Sequence, residues 1–162
     1  MSAIAACNWL PPGGKDAALR IADFLRQIGV PVMVEPVAKS LLAGIDVREG
    51  AVRIDPEIAV YPGDLLHEAG HYAVTEPALR AGLASVPDDP GEEMAAIAWS
   101  AAAAAACGID LAVLFHDGGY DGGSAAMRAA FADGAAGPGA PLLAWYGMVA
   151  PEGYPAMARW LR

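Results

Sequence analysis

Positive charge is scarce in this sequence. Lysine and arginine supply 10 of 162 residues and nowhere cluster, against 19 aspartates and glutamates, for a net charge of −9. Binding to nucleic acid needs a basic stripe to meet the phosphates, so no nucleic-acid partner is expected. Long apolar runs are missing too. Hydrophobic residues make up 56% of the chain, but the longest stretch, Met94 to Cys107, is mainly alanine and falls short of the roughly 18 residues a membrane span requires. Met1 to Trp9 has neither a basic start nor enough apolar length for a secretory signal. A cytoplasmic chain with no membrane partner is the expectation. Cysteine is limited to Cys7 and Cys107, too far apart in sequence to suggest a metal-binding pair; free buried thiols are expected, with a disulfide as the open alternative. Histidine occurs three times, and two of the three fall in one short stretch.

The length suits one domain over residues 1–162, with no long linker dividing it. Pro11-Pro12-Gly13-Gly14 breaks the chain before Lys15 to Ile28, where Ala18, Ile21, Ala22, Leu25 and Ile28 recur at helical spacing. Gly29 closes that helix. Val30 to Val34 is a short β-branched run that Pro31 and Pro36 restrict to a sheet edge or the start of a strand. Ile45-Asp46-Val47 and Val52-Arg53-Ile54 alternate apolar with polar around Glu49-Gly50, the pattern of a hairpin. The expected fold class is α+β, a small N-terminal sheet followed by a mostly helical body.

Leu65-Leu66-His67-Glu68-Ala69-Gly70-His71-Tyr72 carries the pattern H-E-x-x-H on a single helix. Residues four apart share a helix face, so His67 and His71 can offer two imidazole nitrogens to one ion. Glu68 stands one step round and suits a base that takes a proton from water, whose pKa zinc sharply lowers. Leu65, Leu66, Ala69 and Ala73 make the rest of the segment apolar, which argues against a solvated helix and for polar groups that need partners. Gly70, unfavourable in a helix interior, suggests a close backbone approach. Asp64 is expected as the N-cap.

A catalytic zinc takes three protein ligands, so a third is required. Pro90-Gly91-Glu92-Glu93 opens a second, alanine-rich helix. The two glutamates there are candidates for the ligand, or they only complement the helix dipole. With 21 residues between His71 and Glu93, and with Glu93-x-x-Ala96-x-x-Trp99-Ser100 similar to E-x-x-A-x-x-F-A, the chain resembles the gluzincins, the ImmA/IrrE-like peptidases among them. The resemblance covers about a third of the chain, from near Ile45 to Cys107. It implies a zincin-like fold, Zn2+ held by His67, His71 and Glu93, Glu68 as general base, and a peptide or protein substrate. Glu92 in place of Glu93 stays open as a one-residue slip. The resemblance further implies that the strand before the metal helix, Val52 to Ile54, aligns substrate by strand addition.

Past residue 107 no family pattern is evident. Phe115 to Gly123 is glycine-rich and carries the third histidine. A metallopeptidase needs a donor for the developing oxyanion, and His116 or Tyr120 is the candidate; in the competing expectation His116 and Asp117 make turn hydrogen bonds at the surface. Helices are expected from Ser124, as N-cap, to Phe131, from Pro141 to Met148, and over Pro155 to Leu161. Trp145, Tyr146, Met148, Tyr154 and Trp160 are expected mainly in the core. Two other functions compete with a peptidase: a non-catalytic metal-binding regulatory or interaction module on the same fold, and a helical scaffold in which the motif is accidental. Iron or manganese also suits two histidines and a carboxylate.

Overall fold

A computed structural model describes residues 2–162. It is α+β, about 48% helical, with one three-stranded sheet. In chain order the elements are α1 (Ala3–Ala6), α2 (Gly14–Ile28), β1 (Val32–Val34), β2 (Ile45–Arg48), β3 (Ala51–Ile54), α3 (Pro62–Val74), α4 (Pro77–Arg80), α5 (Pro90–Cys107), α6 (Leu111–Leu114), α7 (Ser124–Ala130) and α8 (Ala140–Trp145). Among the described residues no helix is long and apolar enough to cross a membrane.

The apolar stripe of α2 buries Ala17, Ala18, Ile21 and Leu25, and Gly29 ends the helix in the left-handed conformation. With no Cβ, glycine takes that conformation without strain, letting the amide of Val30 return to the carbonyl of Leu25 at 2.9 Å. The chain then enters β1. The β2–β3 hairpin turns through Glu49 and Gly50, both at positive φ (49° and 77°), as a two-residue turn matched to strand twist requires. Its inward residues Ile45, Val47, Val52 and Ile54 are buried, while Arg53 on the other face pairs with Glu35 and Glu49.

Strand order is β1-β3-β2, with β1 parallel and β2 antiparallel to β3. Val52 to Ile54 is therefore the central strand, its backbone groups taken on both sides, and the expectation that it forms a free substrate-aligning edge is overturned. The edge lying against α3 is β2. Pro31 is accommodated as expected, just before an edge strand, where its carbonyl accepts from Val52 N at 2.9 Å.

α3 is buried almost throughout, packed on α2, the sheet, α5 and α6. Its most intimate neighbour is α5. A Cβ on Gly70 would lie 2.6 Å from the carbonyl oxygen of Ala96 and 2.8 Å from Ser100 Oγ. Glycine is the residue that allows this approach, and Ser100 spans it by donating to the carbonyls of Ala96 and Leu66. Asp89 caps α5 by accepting from the amides of Gly91 and Glu92, so the acidic pair behind it is free for other work.

Several local expectations shift. Asp64 is not the N-cap of α3: that position is Tyr61, and Asp64 lies in the first turn. Ser124 caps nothing either; its hydroxyl donates to the carbonyls of His116 and Gly119. The helix expected over Pro141 to Met148 is shorter, and Pro155 to Leu161 is irregular chain, with Met157 bridging to Val149. That tail still joins the core, because Trp160 packs on Phe24 and Trp99 and its carbonyl accepts from Trp99 Nε1 at 2.8 Å. Trp145 departs from the core expectation, being 84% exposed. Both cysteines are free thiols, Cys7 buried and Cys107 half-buried.

Candidate metal centre

The helical repeat of α3 turns His67, Glu68 and His71 toward one side, and among the described residues these three form a cluster able to hold a metal ion, one donor atom from each lying within 4.8 Å of the others. All three are buried. The imidazoles meet edge to face, with Nε2 of His67 and Nε2 of His71 only 3.1 Å apart. At that distance one Nε2–H can donate to the other Nε2, or, with both hydrogens on Nδ1, the two lone pairs can converge on one metal ion.

α5 supplies the counter-charge. Glu93 places one carboxylate oxygen 3.4 Å from His67 Nε2 and the other 3.0 Å from His71 Nε2. In a tetrahedral site with bonds of about 2.0–2.1 Å, donor–donor edges come to roughly 3.3–3.4 Å. The separation of the two Nε2 atoms lies close to such an edge, and Glu93 stands against both nitrogens with one oxygen to each, so its carboxylate must turn one oxygen toward both to complete a tetrahedral set. Glu92, by contrast, stands 3.9 Å from His71 Nδ1, on the far side of that ring.

Burial sets the electrostatics. It pushes the Glu68 carboxyl up to about 7, against the pull of His71 and with Asp46, Asp64 and Glu93 adding to the rise. Burial likewise holds His67 below its ordinary value, with His71 contributing. For His71 burial acts downward, but the carboxylates around it, Glu92 first and then Glu93, with Glu68 adding, outweigh it and raise the ring. Glu93 is held low by its hydrogen bond to His71.

Asp64 enters the site in a role the sequence reading missed. Its Oδ1 lies 2.8 Å from His116 Nε2. Spacing carried the signal: positions 64, 67, 68 and 71 share one helix face. His116 is 2% exposed, so the expectation of a surface turn histidine does not hold; Asp117 beside it is indeed exposed, its side chain 88% accessible. Tyr61 stacks on the His116 ring at 3.7 Å. With Nε2 taken by Asp64, His116 keeps only Nδ1, buried and without a partner.

Tyr120 comes closer to the cluster. Its ring lies edge to face with His67, centroids 5.7 Å apart, and 6.5 Å from His116. The glycine-rich segment bends to put it there, with Tyr120 itself at φ 58°, a conformation uncommon for a bulky residue. Its hydroxyl is buried with no hydrogen-bond partner. Burial and the nearby carboxylates of Asp64, Glu93 and Glu68 all keep that hydroxyl protonated, hence a donor.

Compared with known protein families, with curated proteins and with solved structures, the chain matches none.

Proposed function

We propose that this chain is a zinc-dependent peptidase with a zincin-like fold, its metal held by His67, His71 and Glu93 in the manner of the gluzincins. The observation that carries the reading is the Glu93 carboxylate reaching within 3.4 Å of both imidazole Nε2 atoms from a different helix. A motif arising by accident on a packed helix gives no reason for a third donor to complete the set.

When bound, zinc supplies a Lewis acid that lowers the pKa of water and polarises a carbonyl. The chain's own residues do the rest. Glu68, beside His67 on the same helix, accepts the proton of the attacking water and passes it to the departing amine. Tyr120 donates its hydroxyl to the oxygen that gains negative charge; His116, its Nε2–H bonded to Asp64, offers only the acceptor Nδ1 in the neutral ring and serves as packing beside Tyr120. An extended peptide lies along β2, the sheet edge beside α3, using main-chain groups as a further strand would. Two free thiols suit a reducing compartment such as the cytoplasm.

Elemental analysis and a cleavage screen over unfolded proteins test this together. Roughly one zinc per chain is expected, with cleavage that Glu68→Gln abolishes while keeping the metal. No bound metal after zinc is supplied overturns the reading. Bound zinc with no cleavage of any substrate instead favours a metal-dependent interaction module.

A further inference from the structure

Glu92 has no evident reason to point inward. The start of α5 is already capped by Asp89, and complementing the helix dipole does not require a carboxylate to be buried. Yet the Glu92 side chain is only 16% exposed, against 47% for its neighbour Glu93. Its Oε1 is buried and lacks any hydrogen-bond partner. A buried carboxylate oxygen needs a donor.

The group facing it is His71 Nδ1, 3.9 Å away, itself buried and unpartnered. His71 Nε2 is already directed at His67 and Glu93. If Nε2 presents its lone pair to a metal, the neutral ring must carry its hydrogen on Nδ1, which points at Glu92. A donor without an acceptor thus faces an acceptor without a donor, and an approach of about 1 Å makes one charge-assisted hydrogen bond. Glu92 cannot share the same ion, because it sits on the opposite nitrogen of the ring.

We propose that Glu92 is the positioning residue of the metal centre, its carboxylate accepting the Nδ1–H of His71 and so fixing the tautomer and ring orientation that aim Nε2 at the metal. This rests on His67, His71 and Glu93 being the ligands. Among the described residues His67 Nδ1 has no hydrogen-bond partner, and the carboxylate that His67 meets, Glu93, faces its Nε2, so the effect belongs to His71.

Zinc affinity, measured by competition with a chelator, is compared for the parent chain, Glu92→Gln, Glu92→Ala and Glu93→Ala, alongside nitrogen-15 spectra of the imidazoles in the zinc-loaded proteins. Glu92→Ala is expected to weaken zinc about 10- to 100-fold and to lose the protected Nδ1–H signal of His71 while that of His67 is unchanged. Glu92→Gln, the same size and still an acceptor, should keep the signal and lose less affinity. Glu93→Ala should lose zinc far more severely. Unchanged affinity and an unchanged His71 signal in Glu92→Ala overturn the proposal, and so does a loss as complete as that of Glu93→Ala, which would make Glu92 a ligand. Should Glu92→Ala fail to fold, the glutamine variant decides: loss of its His71 signal or complete loss of zinc counts against the role. Failure of the underlying reading shows separately, as absence of zinc binding by the parent or indifference to Glu93→Ala.

Discussion

A Cβ on Gly70 would stand 2.6 Å from the carbonyl oxygen of Ala96, so α3 and α5 touch there backbone to backbone. This contact lies between the histidines of one helix and the glutamate of the other. Gly70→Ala adds roughly 1 kcal/mol of helix propensity, but the new methyl meets the fixed Ala96 carbonyl and the Ser100 hydroxyl that bridges the two helices, and overpacking costs about 1–3 kcal/mol. A net loss of stability is expected, together with weaker zinc binding as Glu93 is moved from the histidines. Urea denaturation and zinc competition measure the two; a stabilised variant that binds zinc normally would show that the helices are free to separate.

If His67, His71 and Glu93 hold zinc, the ion should stabilise the fold, because those residues come from two helices that the unfolded chain does not hold together. At about 100 times the dissociation constant the gain is about 2.7 kcal/mol, which for a chain of this size raises the melting temperature by roughly 5–10 °C. Thermal melts of chelator-treated protein with and without zinc report it. His67→Ala and His71→Ala should each abolish the rise.

Tyr120→Phe separates catalysis from stability by sign. Its hydroxyl is buried without a partner, and such a group costs stability until something accepts from it. Removing it should leave the melting temperature equal or slightly higher, while peptide hydrolysis falls about 10²- to 10³-fold if the hydroxyl serves the developing oxyanion. Unchanged turnover removes that role from Tyr120.

Arg80 holds the end of α3. Its guanidinium donates to the carbonyls of Tyr72, Ala73 and Arg162, each at 3.0 Å, satisfying groups a helix terminus otherwise leaves open. Arg80→Ala should cost about 2 kcal/mol and speed amide exchange around Val74 and Thr75. Arg80→Lys should recover only part, since an ammonium has no fork to span three acceptors. Exchange rates unaffected at those amides would count against the clamp.

The helices were legible where their cause is local. The α2 stripe closed by Gly29, the Glu49-Gly50 hairpin and the start of α5 at Pro90 each rest on spacing, turn chemistry or capping within a few residues. Readings failed where a local signal had a distant competitor. Asp64 resembles a cap, but His116, 52 residues away, claims its carboxylate. Ser124 likewise stands at a helix start and bonds instead to the loop before it. Pro155 to Leu161 has helical composition, yet its backbone is drawn across the core by Trp99 and Val149.

By itself the sequence determined that His67, Glu68 and His71 share one helix face, since the helical repeat depends only on neighbours along the chain. It also carried, in Gly70, the mark of a close approach. Only the tertiary structure decided what approaches: which glutamate of α5 meets the Nε2 atoms and which faces Nδ1, that β2 rather than β3 is the edge beside α3, and that the Tyr120 hydroxyl and the His116 ring are buried, with Tyr120 against His67 and His116 against Asp64. Those outcomes depend on how whole elements pack, and a shift of one residue along α5 would rotate Glu93 away by about 100°, a difference no local pattern registers.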